Sequence, residues 1–168
     1  VSIDASASSR QFSSSVDGEA EEEAEDGDSA DVRVRFDQVA SVDGTGAYTD
    51  ANPAVVFDDL AAVIDDADYQ GDAVATIDGV DAGAVSYAEP LLSWQGALAA
   101  KASVELRYTT IVKAGGDGTA RNTAWQPEDP EVTTPPETCD DENRCATTEH
   151  LLPKLTITKT ATPAGLPA

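Results

Sequence analysis

The chain has 168 residues and a formal net charge of −22, from 32 acidic and 10 basic side chains. Such a surface repels phosphate backbones and anionic lipid, so nucleic acid and membrane surfaces are not expected partners. No apolar run approaches the length of a membrane span, so no membrane insertion is expected in this segment. Hydrophobic residues make up 40% of the chain and aromatic residues 5%, so a core must rest on Val, Leu, Ile and Ala. The absence of methionine suggests that Val1 is a processed or excised end.

The N-terminal part divides into two zones of different composition. Residues 1–15 are rich in Ser and Ala, and Val1-Ser2-Ile3 alternates apolar with polar. Residues 17–31 form an acidic run without a large apolar side chain. Such a run buries too little surface to offset the entropy of ordering it, so we predict a solvated loop inserted in the domain.

From Val32 onward, apolar residues recur at every second position, which is the period of a half-buried strand. The longest such stretch is 102–112, where one face is predicted to carry Val104, Leu106, Tyr108 and Thr110. Shorter runs at 54–57, 74–77, 91–94 and 119–125 predict further strands. Gly- and Asp-rich turns separate them, including the hairpin-type pair Asp78-Gly79. Strands at this spacing indicate an all-β sandwich.

Residues 58–68 do not follow the strand period. Leu60, Val63 and Ile64 stand at helical spacing, and the Asp58-Asp59 pair before them is typical of a helix start. We therefore predict one short helix or helical turn that crosses from one sheet to the other.

The two cysteines, Cys139 and Cys145, lie close together in a polar stretch rich in Pro, Thr and Asp. A zinc site would need two more soft ligands, which the single His150 cannot supply. The spacing is also wider than the C-x-x-C of a redox pair. A short-loop disulfide in an oxidising compartment is the favoured interpretation, with two free thiols as the alternative.

The end of the chain repeats the pattern of its beginning. Residues 155–162 can be aligned with residues 1–8, because both alternate apolar and small polar residues in the same phase. We therefore predict a sandwich domain over 1–150, followed in 151–168 by a linker and one strand. That strand, with Leu155 and Ile157 on its apolar face, is either the first strand of a following repeat or a strand donated to a neighbouring subunit.

Several segments, taken in order, resemble DUF11-type repeat domains of prokaryotic cell-surface proteins, particularly the acidic form of actinobacterial adhesin-like proteins. The segments are AYTDANP (47–53), DDL (58–60), VIDDADYQGDA (63–73), LSWQGAL (92–98), the strand at 104–112, RNTA (121–124), the cysteine pair, and LTITKTA (155–161). The resemblance covers residues 32–161. It implies an immunoglobulin-like β-sandwich, tandem repetition, and a stalk or adhesin role without catalysis.

Related surface domains often join a first-strand lysine to a late-strand asparagine through an isopeptide bond. Asn122 occupies the late position, but the alignment of the two ends places Ala5 where the lysine would be. Lys159 occupies the matching place in the next unit. The resemblance therefore implies that an isopeptide bond to Asn122 would need Lys159 or a neighbour's strand.

A calcium loop is the candidate metal site. Asp66, Asp68, Gln70 and Asp72 offer oxygen ligands at alternate positions, and a glycine stands at the sixth. Position twelve is Ile77, where a bidentate glutamate is required, so a plain acidic turn is the alternative. A second acidic cluster has less defined spacing and consists of Asp26, Asp28 and Asp31.

No catalytic constellation stands out. His150 has no serine near it in a G-x-S-x-G elbow, and acidic residues are too abundant for any pair to carry a signal. Trp94 lies in an apolar run and is predicted to belong to the core. Trp125 is predicted to cap one end, and the alternative is that both indoles stack on sugars.

These observations favour a non-enzymatic, extracellular structural module that needs no cofactor. Its expected partners are neighbouring repeats or identical subunits at the cell surface. The competing hypothesis is a module that binds glycan or a host protein through loops and exposed tryptophans, since a fold does not decide a function.

Overall fold

The computed structural model describes residues 2–11, 32–139 and 144–152. Within these ranges the chain forms strands and no helix, so no helix there could cross a membrane. The acidic run 17–31, with Asp26, Asp28 and Asp31, lies outside the described residues. The strands are β1 (Ser2–Gln11), β2 (Val32–Ser41), β3 (Ala54–Asp59), β4 (Ala67–Tyr69), β5 (Val74–Ile77), β6 (Val80–Asp81), β7 (Ser86–Ala88), β8 (Leu91–Gly96), β9 (Ser103–Val112), β10 (Thr119–Trp125) and β11 (Cys145–Leu151).

The strands form two antiparallel sheets. The first sheet has the order β1-β2-β9-β5-β6, and β4 also pairs with β9. The second sheet has the order β11-β10-β3-β8-β7. The predicted all-β sandwich is therefore confirmed.

The alternation predicted for β9 is the alternation observed. Val104, Leu106, Tyr108 and Thr110 are all buried, while the intervening residues are half-buried or exposed. In β2, Val34 and Phe36 are buried in the same way. Because successive side chains of a strand point to opposite faces, each of these strands supplies one apolar face to the core.

Two local predictions are also confirmed. Asp78 and Gly79 connect β5 to β6 with φ values of 51° and 78°, which suit the two-residue turn of a twisted hairpin. Residues 60–66 form hydrogen-bonded turns, in which the N–H groups of Ile64 and Ala67 bond to carbonyls four residues earlier. This helical turn joins β3 of the second sheet to β4 of the first.

One of the two tryptophans lies between the sheets, and the other lies on the outer face of the second sheet. Trp94 packs between the sheets, and its indole N–H donates to the carbonyl of Ala82 at 3.0 Å. Trp125 packs instead on Phe57, with ring centroids 5.5 Å apart. Both residues alternate with core residues along their strands, so they cover the outer face of the second sheet rather than one end.

The first and last described strands enter and leave the sandwich at opposite ends. Ser2 pairs with Ser41, and Ser41 pairs with Ser103 at the start of β9. Leu151 pairs with Thr119 at the start of β10, which follows the end of β9 after a short loop. Because β9 spans the sheet, β1 begins at one end and β11 finishes at the other.

The sandwich continues past residue 150, the boundary predicted from the sequence. His150 and Leu151 belong to β11, and the backbone N–H of Leu152 donates to the carbonyl of Gly118 at 2.9 Å. Leu152 is itself buried against the core. His150 and Leu151 are thus part of the last strand, and the linker predicted to start at residue 151 does not include them.

Candidate functional site

Four polar side chains meet in the middle of the sandwich. Gln38 and Tyr108 come from β2 and β9 of the first sheet, and Asp58 and Asn122 come from β3 and β10 of the second. None is more than 1% exposed. We call these four residues the inter-sheet cluster, because they form a polar link between two otherwise apolar faces.

Asn122 is the centre of the cluster. Its Oδ1 accepts a hydrogen bond from Gln38 Nε2 at 3.0 Å, and its Nδ2 donates to the hydroxyl of Tyr108 at 3.0 Å. The same Nδ2 donates to Asp58 Oδ1. Two buried acceptors remain without a partner, Asp58 Oδ2 and Gln38 Oε1. The cluster therefore has more buried acceptors than hydrogen-bond donors.

Burial raises the pKa of Asp58 from 3.8 to about 7, although the hydrogen bonds to Asn122 and Tyr108 act in the opposite direction. The charge of the neighbouring Asp59 also raises the pKa of Asp58. The pKa of Tyr108 is raised well above its usual value, first by burial and then by the charge of Asp58. At neutral pH this site consequently holds a carboxyl group close to its titration midpoint beside a neutral phenol.

Strand alternation places these residues inside. Gln38 occupies the inward position between Phe36 and Ala40, and Asn122 occupies the one between Ala120 and Ala124. Gln38 and Asp58 were not identified from the sequence as site residues. The sequence does place a polar residue where the alternation of a strand predicts an apolar, inward-facing one, and this could have identified Gln38. Asp58 was instead predicted to start a helix, whereas it belongs to β3.

The isopeptide prediction concerns this cluster, because Asn122 is its centre. The two lysines of the described ranges are engaged elsewhere: Lys101 bonds to the carbonyl of Asp43, and Lys113 to Asp68 and to the carbonyl of Ile64. Lys159 lies outside the described residues, as do Leu155 and Ile157. The bond between Asn122 and Lys159 stays a prediction.

A second buried aspartate, Asp66, is held by backbone. Its carboxylate accepts hydrogen bonds from the N–H groups of Asp117, Gly118 and Thr119 at 3.2, 2.9 and 3.3 Å. Gly116 is required beside it, because a Cβ there would come within 2.0 Å of Asp66 Oδ1 and its φ is +63°. Burial raises the pKa of Asp66, but the hydrogen bonds from these residues outweigh it, so the pKa is lowered overall.

The other members of the predicted calcium loop have separate partners. Asp68 forms an ion pair with Lys113 at 3.1 Å, and Asp72 accepts the backbone N–H of Thr109 at 2.9 Å. Gln70 donates its amide N–H to the carbonyl of Asp68 at 2.8 Å. The structure thus does not direct the four side chains to one point, and calcium binding stays a prediction.

Cys139 and Cys145 are joined by a disulfide, with their Cα atoms 5.2 Å apart. The bond closes a short loop immediately before β11. Cys145 packs with Trp125 on the outer face of the second sheet. The disulfide therefore ties the loop to the start of the edge strand.

Neither tryptophan offers a face for stacking on a sugar, because Trp94 is 1% and Trp125 is 2% exposed. The imidazole of His150 has its Nε2 buried without a hydrogen-bond partner. The polar side chains of the inter-sheet cluster converge in a closed core.

Fold and packing define a disulfide-bonded β-sandwich domain with a polar cluster between its sheets. The chain belongs to the family described as a domain of unknown function, DUF7927, whose model matches residues 11–151. No curated protein and no solved structure matches the chain.

Proposed function

We propose that this domain is a non-catalytic structural module of an extracellular surface protein or filament, in the manner of an immunoglobulin-like repeat in a stalk or adhesin. The observation that carries the proposal is the placement of β1 and β11. Since β1 starts at one end of the sandwich and β11 finishes at the other, consecutive units joined through these strands extend end to end. The resemblance to DUF11-type domains of actinobacterial surface proteins agrees with this role.

The strand lengths give the spacing that one unit would contribute. The strands β2 and β9 have 10 residues each, which corresponds to about 33 Å at the rise of an antiparallel strand. A series of such units would therefore move a tip away from the cell by roughly that distance per repeat.

The same placement suits a module under tension. Both β1 and β11 run from the end of the sandwich that contains Ser2 to the end that contains Leu151. Each is hydrogen-bonded along its length to an antiparallel neighbour. Hydrogen bonds of antiparallel ladders lie perpendicular to the strands. A force along the chain loads these ladders in shear, so many bonds resist together rather than one after another.

The disulfide and the net charge support an extracellular location. The disulfide between Cys139 and Cys145 persists in oxidising compartments. A net charge of −22 keeps copies soluble. The convergent polar groups of the inter-sheet cluster are enclosed in the core, where a substrate could not reach them.

Solution scattering from fusions of one, two and three copies of the full chain tests the proposal. We expect the maximum dimension to grow by at least about 33 Å with each copy. The single copy is the control. A constant maximum dimension, as for copies packed side by side, would contradict an end-to-end array.

The proposal includes self-assembly through the C-terminal segment, with Leu155 and Ile157 inserted as a donated strand at a neighbour's sheet edge. Deleting residues 154–168 distinguishes a stalk repeat from a strand-donating subunit. A stalk repeat keeps its fold and remains monomeric after the deletion, whereas a strand-donating subunit loses its polymers.

A mass measurement tests the isopeptide bond. Loss of one ammonia from the intact mass would reveal the bond between Asn122 and Lys159, and Lys159→Arg would abolish that loss.

A further inference from the structure

The inter-sheet cluster connects the two sheets through side-chain hydrogen bonds. The bond from Gln38 Nε2 to Asn122 Oδ1 and the bond from Asn122 Nδ2 to the Tyr108 hydroxyl both cross the interior. Asp58 holds the same Asn122 amide from within the second sheet. Asp58 and the two bonds that cross between the sheets therefore share one Asn122 amide.

The groups that face Asp58 provide no positive charge. Its own strand contributes the carboxylate of Asp59, β10 contributes the Asn122 amide, and β9 contributes the Tyr108 phenol. On β8 the register partner of Asp58 is the apolar Leu92. Among the described residues, no cation is one of the groups that shift the titration of Asp58. An ionised Asp58 is thus a buried charge without a counter-ion, which is costly.

A proton on Asp58 makes the cluster less costly to bury. It removes the buried charge and converts the unpartnered Oδ2 from a charged acceptor into a neutral hydroxyl. Ionisation leaves Asp58 Oδ2 as a buried, charged acceptor without a hydrogen-bond donor, which destabilises a fold.

We propose that the inter-sheet cluster is a pH-sensitive lock, which holds the two sheets together when Asp58 is protonated and weakens when Asp58 ionises. The sign follows from proton binding. The pKa of Asp58 is about 7 in the folded chain against 3.8 for an ordinary aspartate, so the folded state binds more protons between these values. The contribution of Asp58 to stability is complete below pH 3.8, falls as the pH rises to about 7, and is constant above that.

Urea unfolding at fixed ionic strength between pH 4.5 and 8 tests the lock in the full chain. The variants are Asp58→Asn, an uncharged near-isostere, and Asp78→Asn, which removes one charge from the exposed hairpin turn. Both variants relieve the general repulsion among carboxylates by one charge. Only Asp58→Asn removes the buried titration.

We expect the unfolding equilibrium constant of the wild type, relative to Asp58→Asn, to rise by about a hundred-fold from pH 4.5 to pH 8. At pH 8 Asp58→Asn is then more stable than the wild type. The Asp78→Asn variant keeps the wild-type dependence on pH. Equal pH dependence in the wild type and in Asp58→Asn overturns the proposal.

A measurement on the unmodified chain covers the case in which Asp58→Asn does not fold. The ¹³C carboxyl resonance of Asp58 should titrate with a midpoint near 7, and the Tyr108 ring resonances should move with it. A midpoint below 5 would overturn the proposal, because Asp58 would then be ionised throughout the range in which the lock is said to open.

Discussion

Asp58 and Asp66 are both buried carboxyl groups, with exposures of 0% and 2%, yet their pKa values move in opposite directions. Asp58 faces side chains, an amide and a phenol, in the apolar interior between the sheets. Asp66 faces the backbone of the loop between β9 and β10, where three N–H groups point at its carboxylate. Burial opposes ionisation at both sites.

The difference lies in the number and the rigidity of the donors. Backbone N–H groups at 117–119 are fixed by the loop and cannot turn away, so they favour the anion. At Asp58 the Asn122 amide divides its donor capacity among several acceptors, and burial prevails. Depth alone therefore does not determine whether a buried aspartate is charged, whereas the local supply of donors does.

The largest effect is expected for Asp66→Ala. The change leaves the N–H groups of Asp117 and Gly118 without their acceptor, and we expect a loss of about 3 kcal/mol in the free energy of unfolding. Urea denaturation measures it. The exposed neighbour provides the control, because Asp65→Ala should cost less than about 0.5 kcal/mol. Equal losses for the two variants would show that the backbone bonds do not stabilise the loop.

A smaller loss is expected for Gly116→Ala. A methyl group there would meet the Asp66 carboxylate at 2.0 Å, and the φ of +63° disfavours an L side chain. We expect destabilisation of about 2 kcal/mol, measured in the same way. Gly46→Ala is the matched control, since a Cβ at 46 meets nothing within 4 Å. If Gly116→Ala were as stable as Gly46→Ala, the close approach of Asp66 to this glycine would be wrong.

The contributions of Asp58 and Asp66 to stability should change with pH in opposite directions. Because the pKa of Asp66 is lowered in the folded chain, its contribution is present above pH 3.8 and is lost as the pH falls below it. The stability difference between the wild type and Asp66→Ala should therefore shrink in strong acid, as thermal unfolding between pH 2 and pH 6 can measure. A difference that grows in acid would contradict the assignment.

The smallest expected effect concerns Asp59, whose charge raises the pKa of Asp58. Asp59→Asn removes that charge but keeps the side-chain oxygen that accepts the Ala61 N–H at 2.9 Å. The titration midpoint of Asp58 should fall by less than about one pH unit, as read from its ¹³C carboxyl resonance. Asp78→Asn should leave the midpoint in place. A midpoint that rises in Asp59→Asn would exclude repulsion between the two carboxylates.

Most strands were predictable because their signal is local. The alternation in β2 and β9 and the Asp78-Gly79 turn depend only on neighbouring residues, and the structure has all of them. The last strand, β11, was not predicted, because its sequence from Cys145 to Leu151 lacks an apolar face. It is a strand because β10 offers an edge with which its backbone can pair.

The candidate sites likewise depended on contacts that the local sequence does not show. The spacing of Asp66, Asp68, Gln70 and Asp72 predicted a common ligand set. Each side chain has a different partner in the structure, and those of Asp66, Asp68 and Asp72 are distant in sequence. The inter-sheet cluster gave almost no signal, because Gln38 and Asn122 are 84 positions apart. Single polar residues at inward positions become a site only when two sheets bring them together.

From its amino-acid order alone, this chain specified an all-β sandwich, a helical turn between the sheets and a close cysteine pair, because periodicity and turn chemistry act over a few residues. Only the tertiary structure decided which polar groups meet in the core, and that the strands β1 and β11 leave at opposite ends. The pairing of strands across long separations sets those outcomes, and no local pattern encodes it.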